Sequence, residues 1–159
     1  MSKGVNESVA VSTEPKTGVL WGRHDYALDP KKRLTIPSEW RGIFGDVVYV
    51  MPDRKEKCIN LYPKAEMDAF LEQLRQKALL DPALNKVYSM IGAVSQTLFF
   101  DVQGRIRICD KLLQFANLTT TVAMVGSFRM IKLYSPAALP PEDEVDMAAV
   151  DAALTAAGL

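Results

Sequence analysis

Two short basic turns carry the side chains of this 159-residue chain best suited to binding chemistry. Asp29-Pro30-Lys31-Lys32-Arg33 follows the apolar Leu28 and leads into Leu34-Thr35-Ile36. Asp101-Val102-Gln103-Gly104-Arg105 follows Phe100 and leads into Ile106-Arg107-Ile108. In a turn of this length the carboxylate can accept hydrogen bonds from backbone N–H groups or from the arginine guanidinium. Either arrangement stiffens the loop and aims the arginine outward. Arginine pairs bidentately with phosphate or with the guanine edge in the major groove, and lysine adds charge. The candidate nucleic-acid contacts are therefore Arg33, Arg105, Lys31, Lys32 and Arg107. Asp29, Asp101 and Gly104 are the residues that orient the loops. Glycine at 104 makes a left-handed turn residue inexpensive.

Catalysis finds no comparable constellation. His24 is the only histidine and belongs to a strand-like segment, where a structural role is the simpler reading. No serine or cysteine sits in a nucleophile elbow, and no glycine-rich loop opens a helix to hold phosphate. Asp29 and Asp101 do not read as an acid/base pair. Each has an arginine four residues on, which favours the ionised carboxylate. Cys58 and Cys109 form neither a disulfide framework nor a metal-ligand spacing, and both read as buried packing residues. The expectation is a non-enzyme without cofactor, metal or small-molecule substrate.

The elements that position the turns repeat with them. The two Asp-x-x-x-Arg turns lie 72 positions apart, and so do Leu61-Tyr62 and Leu133-Tyr134. Between these anchors the register slips by two: Val48-Tyr49-Val50-Met51 matches Val122-Ala123-Met124-Val125. A fixed offset at both ends with a compensated shift inside is the trace of an internal duplication. Each copy alone is too small for a self-sufficient core, so the two should close one shared barrel or sandwich. The predicted strands of the first copy are a broken one over 18–27, then 34–36, 47–51 and 58–62. Val47–Met51, rich in β-branched residues, is expected to be buried on both faces. A short helical turn starts at Pro37, and another spans 110–117. Between the copies the period changes. Met67, Phe70, Leu71, Leu74 and Ala78 make one helical stripe. Asp81-Pro82 predicts the start of a second helix, as an N-cap followed by proline at the first helical position.

The predicted organisation is an extension over 1–17 that is disordered, a first repeat over 18–63 and a helical hairpin over 64–94. A second repeat over 95–136 and an acidic, alanine-rich tail over 137–159 complete it. A zero formal charge hides an uneven distribution. Glu142, Asp143, Glu144, Asp146 and Asp151 lie in the last eighteen residues, leaving 19 basic against 14 acidic residues in the remainder. A mildly positive body with an acidic tail fits an anionic partner. No 18-residue apolar run or signal-peptide pattern occurs, so the expectation is a cytoplasmic protein without a membrane partner.

The order strand, Asp-x-x-x-Arg, strand, short helix, strand, turn, Cys58-Ile59-Asn60-Leu61-Tyr62-Pro63, helical pair and second copy resembles the MraZ family. Met124-Val125-Gly126 followed by Ile131-Lys132-Leu133-Tyr134 belongs to the same resemblance, which covers roughly residues 19–136. It implies an α+β fold, a tandem-repeat, pseudo-twofold AbrB-like swapped-hairpin β-barrel with a helical hairpin between the repeats. It also implies a nucleoid-associated regulator of the bacterial division and cell-wall gene cluster. Such a protein binds short direct repeats in double-stranded promoter DNA as a homo-oligomeric ring. Arg33 and Arg105 would contact DNA, with Asp29 and Asp101 orienting them. Two departures stand out: Lys32 where the family commonly has glycine, and Cys109 where proline is usual. The competing reading is an AbrB-like oligomeric interaction module, or an antitoxin-type barrel without strong sequence-specific DNA binding.

Overall fold

The computed structural model of the chain describes Pro15 and residues 18–159, so the predicted disordered extension lies almost wholly outside the described residues. Eight strands and five α-helices form an α+β fold among the described residues. The first half contributes β1 (Arg23–Ala27), β2 (Arg33–Thr35), α1 (Ser38–Phe44), β3 (Val47–Asp53) and β4 (Cys58–Tyr62). Helices α2 (Lys64–Leu80) and α3 (Leu84–Val94) follow. The second half contributes β5 (Gln96–Phe99), β6 (Arg105–Arg107), α4 (Asp110–Phe115), β7 (Thr121–Gly126) and β8 (Ile131–Tyr134). A final helix, α5 (Met147–Ala156), ends the described fold. No described helix is long and apolar enough to cross a membrane.

All pairing is antiparallel, and the halves trade strands. The six-stranded sheet runs β1-β7-β8-β4-β3-β5, so β1 of the first half joins the second half's pair and β5 makes the reciprocal exchange. The remaining strands, β2 and β6, pair with each other. Leu34 lies opposite Ile106, and Asn60 lies opposite Lys132. Both are pairs of residues 72 apart, so a local twofold relation passes through each. The register slip is equally visible. Pro52 pairs with Ile59 across six intervening residues, whereas Gly126 pairs with Ile131 across four. The two residues missing from that second turn appear as two extra between the start of α4 and the start of β7.

Leu34, Ile36, Ile106 and Ile108 project from the β2–β6 ribbon into one core with Trp40 and Phe44 of α1 and Leu112 and Leu113 of α4. Val48, Val50, Ile59, Leu61, Val122, Met124, Ile131 and Leu133 close it from the sheet side. Period-two alternation puts these residues on one face. Burial of β3 on both faces, expected from its β-branched run, holds only in part: Val48 and Val50 are buried on one face, while on the other Met51 is buried but Val47 and Tyr49 are only half-buried. The β-branched residues there reflect strand propensity more than full coverage of both faces. On the far face Cys58, Ala123 and Tyr134 form a small second cluster under Leu139. Cys58 is buried as expected, and Cys109 is half-buried against the main core.

The helical hairpin differs from expectation at its second start. Helix α3 begins at Leu84, not at Pro82. The Asp81 carboxylate accepts the Ala83 N–H within a preceding turn, so it folds the link instead of capping the helix. The α2 stripe of Phe70, Leu71 and Leu74 faces Tyr88 and Ile91 of α3 across a groove of about 570 Å³. Helix α5 is N-capped by Asp146, which accepts from Ala148 and Ala149 N–H groups, and none of its residues is buried.

Candidate nucleic-acid interface

The two turns have the same internal wiring. Asp29 Oδ1 accepts the Lys31 and Arg33 N–H groups at 2.9 and 2.7 Å, while Oδ2 accepts Arg33 Nε at 2.6 Å. Asp101 Oδ1 accepts the Gln103 and Arg105 N–H groups, both at 2.9 Å, and its Oδ2 accepts Arg105 Nε at 2.8 Å. Backbone bonds from Lys32 N to Asp29 O (2.8 Å) and from Gly104 N to Asp101 O (2.9 Å) close the loops. Each aspartate thus holds the turn through backbone and arginine together. The Arg33 N–H, with the arginine guanidinium and Lys31 N–H behind it, holds the Asp29 carboxyl below its ordinary value against the opposing effect of desolvation. The Arg105 N–H does the same for Asp101. Both carboxylates are therefore ionised wherever DNA would be bound.

The antiparallel β2–β6 ribbon sets the turns at its two ends. Arg33 pairs with Arg107, and Thr35 with Arg105, around the Leu34–Ile106 centre. Arg105 Nη1 also comes within 3.6 Å of Asp29 Oδ2, linking the two turns directly. Arg107 donates to Ile108 O and to Asp110 at 2.9 Å. Lys31 and Lys32 are exposed, and Lys32 Nζ lies 3.5 Å from Asp110 Oδ1. That carboxylate is held low by the Arg107 hydrogen bond and by Lys32 charge. Arg33, Arg105 and Arg107 therefore lie on the ribbon face away from the buried Leu34 and Ile106, with Lys31 and Lys32 on the turn at one end, and Arg33 and Arg105 are each fixed through Nε to its own turn's aspartate. His24 serves the scaffold. It bonds Glu39 at 3.1 Å and meets the Trp40 ring edge-on, 4.9 Å between centroids.

No family model matches the chain. Curated relatives do. A transcriptional regulator MraZ of Thermomicrobium roseum is 30% identical over 115 residues, covering 72% of this chain and 80% of that protein. The transcriptional regulator MraZ of Oenococcus oeni is 32% identical over 119 residues, 74% of this chain and 81% of its own length. The chain belongs to the MraZ family. A transcriptional regulator MraZ of Clostridium acetobutylicum extends the likeness to 87% of the chain and 98% of its own length, at 24% identity.

Within this MraZ-family chain both departures noted in the sequence have physical outcomes. Lys32 adopts φ 61°, close to the 78° of Gly104 at the equivalent position, so the turn geometry is kept and lysine bears the strain. Cys109 occupies the position equivalent to Pro37. Its N–H, which a proline would lack, donates to Gln96 Oε1 at 2.9 Å and ties β5 to the start of α4.

Two groups of side chains were not singled out by sequence reasoning. Arg41 of α1 lies against Gly104 of the opposite half. The only hint in the sequence is that position 41 is basic while its counterpart, Leu113, is apolar. On the far face, Lys132 Nζ reaches Asp53 and Glu56, both at 2.9 Å, and Asn60 at 3.4 Å; Tyr134 donates to Glu56 at 2.6 Å. Burial there pushes the Cys58 thiol up to about 11. It also works against Lys132, whose two carboxylate partners nonetheless raise it. This network braces the sheet centre at Asn60–Lys132 and lies on the opposite face from the core.

Proposed function

We propose that this chain is a sequence-specific, DNA-binding transcriptional regulator. It reads short direct repeats in promoter DNA through the two Asp-x-x-x-Arg turns. Arg33 and Arg105 are the principal contacts, Lys31, Lys32 and Arg107 supply further charge, and Asp29, Asp101 and Gly104 hold the loops. The observation that carries this reading is the duplicated, identically wired turn, one copy at each end of a single two-stranded ribbon. The exchange of strands between halves supports assigning the fold to the AbrB-like swapped-hairpin barrels, with boundaries at 18–63, 64–94, 95–136 and 137–159. The targets are the chain's own operon and the division and cell-wall cluster, and the setting is the cytoplasm and nucleoid.

Each chain offers only a few charges, so affinity must come from multiplying them. A ring of subunits engaging several repeats at once raises the effective concentration of each later contact. Exposed Leu71, Leu79, Val87 and Met90 on the helical hairpin support such assembly. The first turn, with three consecutive basic residues, carries more of the phosphate contact, and the second sets register.

Arg33→Ala and Arg105→Ala should each weaken binding to duplex DNA from upstream of the chain's own gene. Each should also lower the slope of log affinity against log salt by about 0.9 for every phosphate that a subunit no longer neutralises. A mobility-shift titration over a salt series, with scrambled duplex as control, measures both. Wild-type affinity and slope in both variants would remove the turns from the interface. Equal binding of wild-type protein to both duplexes, or none, would favour the interaction-module reading, which the balanced charge and apolar hairpin support.

A further inference from the structure

Each turn lies beside the helix of the other half, and each turn–helix pair carries one cation from a different source. Lys32 extends from the first turn beside α4, where Leu113 lines the adjoining hollow. At the equivalent place in the second turn, Gly104 has no side chain and is buried. A Cβ built there would fall inside the guanidinium of Arg41, 2.7 Å from Nε and nearer still to Cζ and Nη1. Arg41 and Leu113 are themselves equivalent, 72 residues apart. Lysine on the turn is thus matched with leucine on the helix, and glycine on the turn with arginine on the helix.

Arg41 also differs in its pairing. Arg33, Arg105, Arg107 and Lys32 each have a carboxylate within 3.5 Å. Among the described residues the buried Nε of Arg41 has no hydrogen-bond partner, and no carboxylate pairs with its guanidinium. A half-buried guanidinium without an anion is costly to maintain unless an anion arrives.

We infer that Arg41 is the phosphate contact of the second turn, supplied from the first half's helix in place of the side chain that Gly104 lacks. This rests on the DNA-binding reading of the turns. It assigns α1 a direct part in binding and gives both turns a cation at equivalent positions.

Arg41→Leu installs the residue that α4 already packs at the same place, so the fold should persist, checked by its thermal midpoint. It should weaken binding to the upstream duplex roughly tenfold at moderate salt and lower the salt slope by about 0.9 per subunit. Arg41→Lys should retain most of the slope. The double variant Arg41→Leu with Gly104→Lys transplants the first half's arrangement and should recover the slope. If Arg41→Leu keeps wild-type affinity and slope while Arg33→Ala loses both, Arg41 is only packing over Gly104 and the inference fails alone. If neither variant changes binding, the turns are not the interface and both readings fall. Loss of affinity without a change in slope, unrepaired by the double variant, would likewise overturn a phosphate contact.

Discussion

Lys32→Gly should make the protein more stable and its DNA binding weaker. At φ 61° Lys32 holds a left-handed conformation that a side chain resists by about 1–2 kcal/mol. Glycine removes that strain but adds unfolded-state freedom, which offsets about 0.5–1 kcal/mol of the gain. The ion pair removed with it is weak: Lys32 and Asp110 are 3.5 Å apart and more than half exposed, so solvent screens their attraction. The net is a stabilisation of about 0.5 kcal/mol, or about 1–2 °C in thermal midpoint for a chain of this size. Calorimetry and denaturant titration measure it, and a higher denaturant midpoint with unchanged slope would mark a true gain. The same variant removes one positive charge from the first turn, so the salt slope of DNA binding should fall by about 0.9 per subunit. A drop in thermal midpoint would refute the strain argument. A parallel fall of stability and affinity would mean that Lys32 acts by holding the turn, not by meeting phosphate.

Gly126→Ala tests the close crossing of the segment before β1 over the end of β7. An added Cβ would lie 2.6 Å from the Leu20 carbonyl carbon and Trp21 Cα, both backbone atoms. Overpacking against backbone should cost about 2–3 kcal/mol, read as a lowered denaturant midpoint; a decrease under about 1 kcal/mol would show that this crossing can relax. The acid side of the stability profile belongs to the far-face network. Desolvation would raise Asp53, but Lys132 and neighbouring N–H groups hold it below its ordinary value; the Tyr134 and Lys132 hydrogen bonds do the same for Glu56. Groups depressed on folding give their full contribution above their unfolded values, near pH 4, and lose it as pH falls through the folded ones. The thermal midpoint should therefore stay level from about pH 7 to 5 and fall below about pH 4, with a shallower fall in Asp53→Asn. A decline already complete by about pH 5 would assign acid unfolding to other groups.

The duplication was legible in the sequence because strand pairing depends on register. Offsets of 72 and 74 residues reappear as paired positions, with Tyr49 opposite Tyr62 and Ala123 opposite Tyr134. Asp29 and Asp101 were legible because an aspartate four residues before an arginine satisfies a turn locally. What escaped depends on approach between distant segments. Arg41 and Gly104 are 63 residues apart on different halves, and no periodicity brings them together. Lys132, Asp53 and Glu56 read separately as strand and turn charges, and only the sheet order makes them one network. The α3 start was misplaced because Asp81-Pro82 suits a turn as well as a helix entry. Tertiary context chose between them.

The strand exchange also ties two unequal turns into one rigid unit. Leu34 and Ile106 are both buried where β2 crosses β6, so neither turn can shift without disturbing the shared core. Arg105 reaches Asp29 as well as Asp101, coupling the turns at the surface. A change that loosens one turn should therefore be felt at the other, whereas a change that only removes charge should not. The Lys32 and Arg41 side chains lie outside the hydrogen-bonded ring of each turn, and that is where the halves differ most in chemistry. The duplicated wiring holds the arginines at matched positions. The cation beside each turn comes once from the loop and once from the opposite helix, so the chemistry of the two sites can diverge while their geometry stays tied.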